Sequence, residues 1–380
     1  MSSSVNPLVA IHSFGQSIWL DYIRRNILHN GELQRLIEED GLRGVTSNPA
    51  IFEKAIAGSD DYADDIRQLA RQGLTAEQIY AQLAVADVQQ ACDLLRPLYD
   101  QPNSGGDGYV SLEVSPELIN DTEGTVTEGL QFWHAVNRPN VMIKVPATRA
   151  GLPAIRRLIA AGVNVNVTLI FRVDRYREVA EAFLAGLEDR VKADLPVTRL
   201  DSVASFFLSR IDVLIDPQLQ KLAAAGGEQA GLAASLVGEV AIASARQAYQ
   251  IYQEIFAGPR WERLRKLGAQ PQRLLWASTG NKNPKYDDLK YVEALIGPNT
   301  VNTIPVETLD LYRAKGRPAG RLSEGADKQV LARLPELGLD LTALTNQLEE
   351  EGARKFSEPF AKLLAVLEQK RQEALAATTA

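Results

Sequence analysis

Sulfur and imidazole are scarce in this chain. Its 380 residues include one cysteine, Cys92, and three histidines, His12, His29 and His134. A single cysteine excludes an intrachain disulfide and points to a reducing compartment, so the cytoplasm is the expected location. Cys92 falls in a helical pattern with Ile79, Leu83, Val88, Leu94 and Leu95, which reads as a packed core thiol rather than a nucleophile. No histidine stands at metal-ligand spacing from another histidine or the cysteine, which argues against a zinc site and against a Ser-His-Asp triad. No apolar run approaches the ~18 residues of a membrane span, and Met1 to Pro7 lacks the basic start and apolar core of a signal peptide. Basic tracts are missing too. Forty-one Lys and Arg against 48 Asp and Glu leave a net charge of −7, which argues against general nucleic-acid binding. An anionic substrate would need a few local cations to hold it against that average field.

What is present is a 45% hydrophobic, 23% charged composition, that of a globular protein with a sizeable core. Eight short β-branched or alternating runs read as strands: Gly15–Asp21, Leu42–Val45, Tyr109–Val114, Val141–Val145, Val163–Leu169, Val203–Leu208, Arg273–Ser278 and Thr300–Ile304. Helical patterns separate them: Tyr22–Ile37, Asp60–Leu98 with a break at Gly73, Glu117–Val136, Gly151–Ala161 capped by Thr148, and Val173–Leu187. Pro102 to Gly108 is a loop by composition. A long insertion, Asp212 to Gln272, is helical from Val237 to Phe256, and a charged tail is helical over Ala326–Leu334 and Leu341–Leu367.

Strands alternating with helices predict an α/β fold, a single parallel (β/α)8 TIM barrel with a helical insertion and C-terminal helices. The expected organisation is a catalytic barrel over residues 1–320, with the insertion near 212–272, and a helical extension over 321–380 packed on the same domain. A doubly wound open sheet is the alternative, but no Gly-rich dinucleotide loop follows the first strand; Gly105-Gly106 precedes a strand instead.

The most telling stretch is Val141-Met142-Ile143-Lys144-Val145-Pro146. A lysine inside a strand buried on both faces loses water around its ammonium, and that desolvation favours the neutral, nucleophilic amine used in Schiff bases with carbonyl substrates. The stretch alone leaves a second reading open, a strand-end lysine snorkelling to solvent. In a barrel the C-terminal strand ends form the active-site mouth. Here they carry Asp21, Asn48, Glu113, Lys144, Asn166, Thr168, Ser205, Ser278 and Asn302. Singly, each has a structural reading, as a cap, turn residue or salt-bridge partner. Together they are harder to explain without a site, because polar groups within apolar strands need partners.

Five motifs then converge. GVTSNPAIF (Gly44 to Phe52), VSLEV (Val110 to Val114), MIKVPAT (Met142 to Thr148), NVTLIF (Asn166 to Phe171) and SFFLSR (Ser205 to Arg210) together resemble the transaldolase family. The match runs in order from Asp21 to Thr308. LLWASTGNKNP followed by TVNTIPVETL is similar to its longer bacterial-type members.

The resemblance implies a class I aldolase barrel that moves a dihydroxyacetone unit between sugar phosphates with neither metal nor organic cofactor. By the same resemblance Lys144 is the Schiff-base lysine, Asp21 the strand-one acid/base, Glu113 the strand-three carboxylate and Thr168 the residue that positions a catalytic water. Asn48 and Asn166 match the groups that hold the dihydroxyacetone hydroxyls, and Ser205 and Arg210 part of the phosphate site. Ser278 matches the strand-seven serine. Several members carry an arginine shortly after it, where this chain has Ser278-Thr279-Gly280-Asn281-Lys282, so Lys282 is the nearest cation for phosphate.

Three other readings compete: an aldolase that releases free dihydroxyacetone, a pyridoxal-phosphate enzyme on a barrel, and a barrel that only binds sugar phosphates. An acceptor-dependence assay, a visible absorbance band and the absence of turnover would respectively mark them. The expected partners are sugar phosphates, with no nucleic acid and no membrane; monomer and homodimer both stay open.

Overall fold

The computed structural model describes residues 6–101, 106–324 and 328–379. Eight strands form a closed parallel barrel in sequence order: β1 (Gln16–Asp21), β2 (Gly44–Thr46), β3 (Tyr109–Glu113), β4 (Val141–Pro146), β5 (Val165–Ile170), β6 (Ser202–Phe207), β7 (Arg273–Ala277) and β8 (Thr300–Ile304). β8 closes onto β1, with Gln16 opposite Thr300 and Leu20 opposite Ile304. The (β/α)8 expectation is met, and every strand falls where an apolar run was read. Each strand is buried on both faces, the outer face under helices and the inner face in the barrel.

Boundaries moved where local chemistry outweighed periodicity. The single helix expected over Tyr22–Ile37 is two, Arg25–His29 and Glu32–Glu39, separated by Gly31 in the left-handed region (φ 82°). Gly73 (φ 83°) does break the next long pattern, into Ala63–Arg71 and Ala76–Tyr99. The Glu117–Val136 pattern becomes a helix only from Thr122, capped by Asp121. Thr148 accepts from the Gly151 N–H at 3.0 Å as expected. The second strand is displaced toward Thr46, which brings that side chain into the barrel beside Asp21. Cys92 is wholly buried against the Asn140 carbonyl, and burial pushes its thiol up, away from thiolate chemistry.

Between β6 and β7 the insertion folds into four helices, Ser209–Ala225, Ala230–Leu236, Val240–Ile255 and Pro259–Lys266. After β8 come Val306–Lys315, Lys328–Arg333 and a 39-residue C-terminal helix, Leu341–Thr379, longer than its sequence pattern. Part of the loop expected over Pro102–Gly108, and the start of the tail helix at Ala326, lie outside the described residues. The C-terminal helix packs on the Pro49–Ala57, Ala63–Arg71 and Ala76–Tyr99 helices and reaches β5. At the N-terminal end the barrel is plugged by Arg273, whose Nη1 donates to Ser17 Oγ and Nη2 to Asp107 Oδ1, each at 3.0 Å. That end is closed, so the open mouth is the C-terminal one. No helix among the described residues is long and apolar enough to cross a membrane.

Candidate active site

Register places the reactive groups side by side. Glu113 on β3 pairs with Lys144 on β4, and Lys144 with Asn166 on β5, so three polar side chains share one inward-facing row. Lys144 is only 5% exposed. Its Nζ lies 3.3 Å from Glu113 Oε2 and donates to the Ser47 carbonyl at 3.1 Å. Both Glu113 carboxyl oxygens are buried and lack an aligned hydrogen bond. Burial therefore dominates the carboxyl, raising its pKa to about 7 against the opposing pull of the Lys144 charge. Lys144 is a buried amine beside a carboxyl that titrates near neutrality, not a snorkelling side chain.

Asp21 ends β1 on the other side of the cavity. Burial raises its pKa, while the Lys144 charge and a hydrogen bond from Thr46 hold it down. Thr46 Oγ1 donates to Asp21 Oδ1 at 2.7 Å and lies 2.7 Å from Thr303 Oγ1. Thr46 has one hydroxyl proton, so when it serves Asp21 it must accept from Thr303, and the chain Thr303–Thr46–Asp21 has one direction. It points hydrogen at the carboxylate and fixes its rotamer.

Thr168 lines the same space with a buried, unpartnered Oγ1. The next residue, Leu169, has a positive φ of 59°, and the β5–β6 register shifts between Val167 and Ile170. This bulge re-aims the strand end carrying Thr168. An orphaned hydroxyl at a cavity wall is a place for a water or a substrate hydroxyl.

Asn48 caps the Pro49–Ala57 helix, its Oδ1 accepting from the Ile51 N–H at 3.0 Å, and its Nδ2 is left for the cavity. Asn166 is fully buried at the β5 end of the row. Its Nδ2 donates to Ser111 Oγ at 2.9 Å and its Oδ1 accepts from Ser205 Oγ at 2.7 Å. Ser205 is thus tied to Asn166 in the Lys144 layer, although the resemblance groups it with the phosphate ligand Arg210. Ser278, in a left-handed conformation (φ 54°), faces Ser209 Oγ at 3.0 Å instead, and Ser209 neighbours Arg210.

Arg210 and Lys282 approach the mouth from different elements, and neither forms an ion pair among the described residues. The Arg210 guanidinium lies over the Phe207 ring, 5.5 Å from its centroid, with Nη1 buried and unpartnered. Burial works against the charge on Lys282, and the Arg210 and Lys355 charges add to that. The Asp21 and Glu351 charges act on Arg210 from beyond ion-pair distance, and two such cations beside a helix N-terminus form an arrangement suited to an anion.

The cavity so enclosed holds about 220 Å³ and is lined by eight of the eleven residues singled out from sequence: Asp21, Asn48, Lys144, Thr168, Ser205, Arg210, Ser278 and Lys282. Glu113 and Asn166 stand directly behind this surface. Asn302 does not belong to it; it lies on the outer side of β8, accepting from Thr279 Oγ1 at 3.0 Å, and its neighbour Thr303 faces the mouth. Sequence reasoning missed Thr46, Thr303, Ser209 and Phe356. Phe356, from the C-terminal helix, roofs the cavity with its ring centroid 5.6 Å from Lys144 Nζ. The helix comes this close because of Gly352, where a Cβ would stand 3.1 Å from Leu169 Cδ2 and 3.3 Å from Phe171 Cε2.

Comparison with known proteins identifies the family. The family model described as transaldolase/fructose-6-phosphate aldolase matches residues 18–367. The chain belongs to that family. It is 45% identical over 374 residues to transaldolase 2 of a Nostoc species, an alignment spanning 97% of this chain and 98% of the relative. The transaldolase of Thiobacillus denitrificans is 45% identical over 357 residues, 93% of this chain and 98% of its own. That of Acidothermus cellulolyticus is 45% identical over 375 residues, covering 97% and 99%. The chain is an enzyme of the transaldolase type, which sets aside the pyridoxal-phosphate and binding-only readings.

A pH effect follows from Glu113. Its carboxyl holds a proton in the fold up to about pH 7, whereas an exposed glutamate releases it near 4.5. The native state binds the extra proton, so stability conferred by this group is present at low pH and lost as pH rises from 4.5 through about 7. Glu113→Gln should flatten that part of the thermal-stability curve and remove the matching limb of the kcat/KM profile. A limb near 7 persisting in the variant would assign it to another group.

Proposed function

We propose that this enzyme transfers a dihydroxyacetone unit from a ketose phosphate, sedoheptulose 7-phosphate or fructose 6-phosphate, to an aldose phosphate, glyceraldehyde 3-phosphate or erythrose 4-phosphate, through a Schiff base on Lys144. On this reading it serves the non-oxidative pentose phosphate pathway in the cytoplasm. The observation that carries it is a buried lysine amine 3.3 Å from a carboxyl that titrates near 7, in a cavity whose far wall bears two unpaired cations.

Glu113 accepts a proton from the Lys144 ammonium, and the neutral amine attacks the C2 ketone. Water leaves the carbinolamine with a proton returned by Glu113, aided by a water on the Thr168 hydroxyl, and an iminium remains. Asp21 takes the C4 hydroxyl proton, the C3–C4 bond breaks, and its electrons flow into the iminium to give an enamine. The aldose phosphate departs. An acceptor aldehyde enters, the enamine carbon attacks it, and Asp21 returns the proton to the new hydroxyl. Hydrolysis then frees the product ketose. Asn48, with Asn166 behind it, holds the retained hydroxyls, while Phe356 keeps bulk water from the enamine between half-reactions. Because Phe356 completes the cavity wall, residues 321–380 act with the 1–320 barrel as one catalytic unit.

Arg210 and Lys282 bind the substrate phosphate. Arg210→Ala should raise KM for phosphorylated sugars by roughly 10- to 100-fold, the loss of a charge-assisted hydrogen bond. Unphosphorylated analogues should be little affected; an equal effect on both would remove Arg210 from the phosphate site. The decisive test is mass spectrometry of protein reduced with borohydride in the presence of fructose 6-phosphate. A three-carbon adduct on Lys144 is expected, and an adduct mapped to any other lysine overturns the assignment.

A further inference from the structure

Arg210 and Lys282 line one cavity and carry like charges that oppose one another, so the surrounding fold must hold them together. Arg210 sits in the first turn of the Ser209–Ala225 helix, and Lys282 in the loop between β7 and the short Lys290–Glu293 helix. The same Ser209–Ala225 helix carries Asp212 and Asp216, one turn apart and both buried. Asp216 Oδ2 accepts from the Tyr286 hydroxyl at 2.5 Å and its Oδ1 from the Gly238 N–H at 2.7 Å. Asp212 accepts from the Tyr291 hydroxyl and the Ala241 N–H, each at 2.8 Å, with Lys290 Nζ 3.7 Å away. Lys290 covers the Tyr286 ring at 3.8 Å from its centroid and donates to the Gly238 carbonyl. Gly238 has a φ of 80°, and a Cβ there would stand 2.7 Å from both Tyr286 Oη and Lys290 Nζ, so a side chain at this junction would strain the backbone and displace those two groups.

The turn bearing Lys282 is locked to Tyr286. Asn281 Nδ2 donates to the Asn283 carbonyl at 2.8 Å and to the Tyr286 carbonyl at 3.0 Å, and the Asn283 N–H returns a bond to Asn281 Oδ1 at 3.0 Å. Lys282 is therefore fixed on both sides to a segment whose tyrosine is anchored on the helix that carries Arg210.

We propose that the Tyr286–Asp216 bond is a clamp that sets the span between Lys282 and Arg210 and so preorganises the anion site; this rests on the phosphate reading given above. Tyr286 and Asp216 touch no substrate. They are positioning residues, and their contribution is the cost, met in advance, of holding two like charges at the spacing a phosphate requires.

The test compares Tyr286→Phe, Lys282→Ala, the double variant and Tyr291→Phe. Each is assayed for competitive inhibition by inorganic phosphate and for kcat/KM with an aldose phosphate and with the same aldose lacking phosphate. Tyr286→Phe is expected to raise the inhibition constant of phosphate about five- to tenfold, the range of one lost hydrogen bond to a charged group, with kcat and the unphosphorylated acceptor unchanged. Lys282→Ala should weaken phosphate at least as much, and the double variant no more than Lys282→Ala alone, because the clamp acts through that lysine. Tyr291→Phe removes a comparable hydroxyl–carboxylate bond, to Asp212, from outside the Asn281–Tyr286 turn that carries Lys282, and should leave phosphate binding unchanged. An unaltered constant in Tyr286→Phe, additivity in the double variant, or an equal shift in Tyr291→Phe would each overturn the clamp. If Lys282→Ala itself leaves phosphate binding intact, the assignment of Lys282 to the phosphate fails, and the clamp falls with it.

Discussion

Lys144→Ala is expected to trap no ketose phosphate on borohydride reduction and to lose turnover by a factor on the order of 10⁵, as removal of a covalent nucleophile does. The reason is positional. Lys144 sits in the cavity 3.3 Å from Glu113, whereas the other lysine lining the cavity, Lys282, comes from the loop after β7 and has no carboxyl within ion-pair distance among the described residues to take its proton. The variant should still fold. Losing the Lys144 charge removes what opposes the upward shift of Glu113, so the buried carboxyl stays protonated and no unpaired charge is left inside. Intact-mass and peptide mass spectrometry read the result directly. A reduced adduct in Lys144→Ala would end the assignment.

Asp21→Ala separates the two halves of the chemistry. On the proposed mechanism Schiff-base formation uses Lys144, Glu113 and Thr168, which this change leaves in place. Carbon–carbon cleavage requires a base at the C4 hydroxyl, and removing a general base costs about 10²- to 10⁴-fold. The reduced adduct should therefore change from a three-carbon unit to the uncleaved ketose phosphate, because the iminium forms and then waits. Burial raises the proton affinity of Asp21, while the Thr303–Thr46 relay and the Lys144 charge keep it usable as a carboxylate. Normal cleavage in the variant would take Asp21 out of this role.

Much of this was legible in the chain. Lys144, Glu113 and Asp21 stood out together, because several charges at the ends of apolar strands need one another as partners, and alternation then gives the face each takes. Thr46 and Thr303 escaped notice because a threonine is an ordinary strand residue. Only the pairing of β1 with both β2 and β8 shows that the two hydroxyls meet at Asp21. The resemblance groups Ser205 with Arg210; in the fold Ser205 lies on β6 before the chain turns, and its hydroxyl donates to Asn166. Asn302 was placed at the mouth by position, one residue from Thr303, and a single step along a strand reverses the face.

By itself the sequence determined the barrel, the order of its strands, the buried lysine and the carboxylates around it, because these depend on local periodicity and on how few residue types suit each task. Only the tertiary structure decided the roof and the anion end. Phe356 over Lys144, and Tyr286 on Asp216, join segments far apart in the chain through contacts that leave no periodic trace. Such contacts exist once the barrel has closed and its insertion and last helix have packed against it, and they are properties of the assembled surface rather than of any stretch within it.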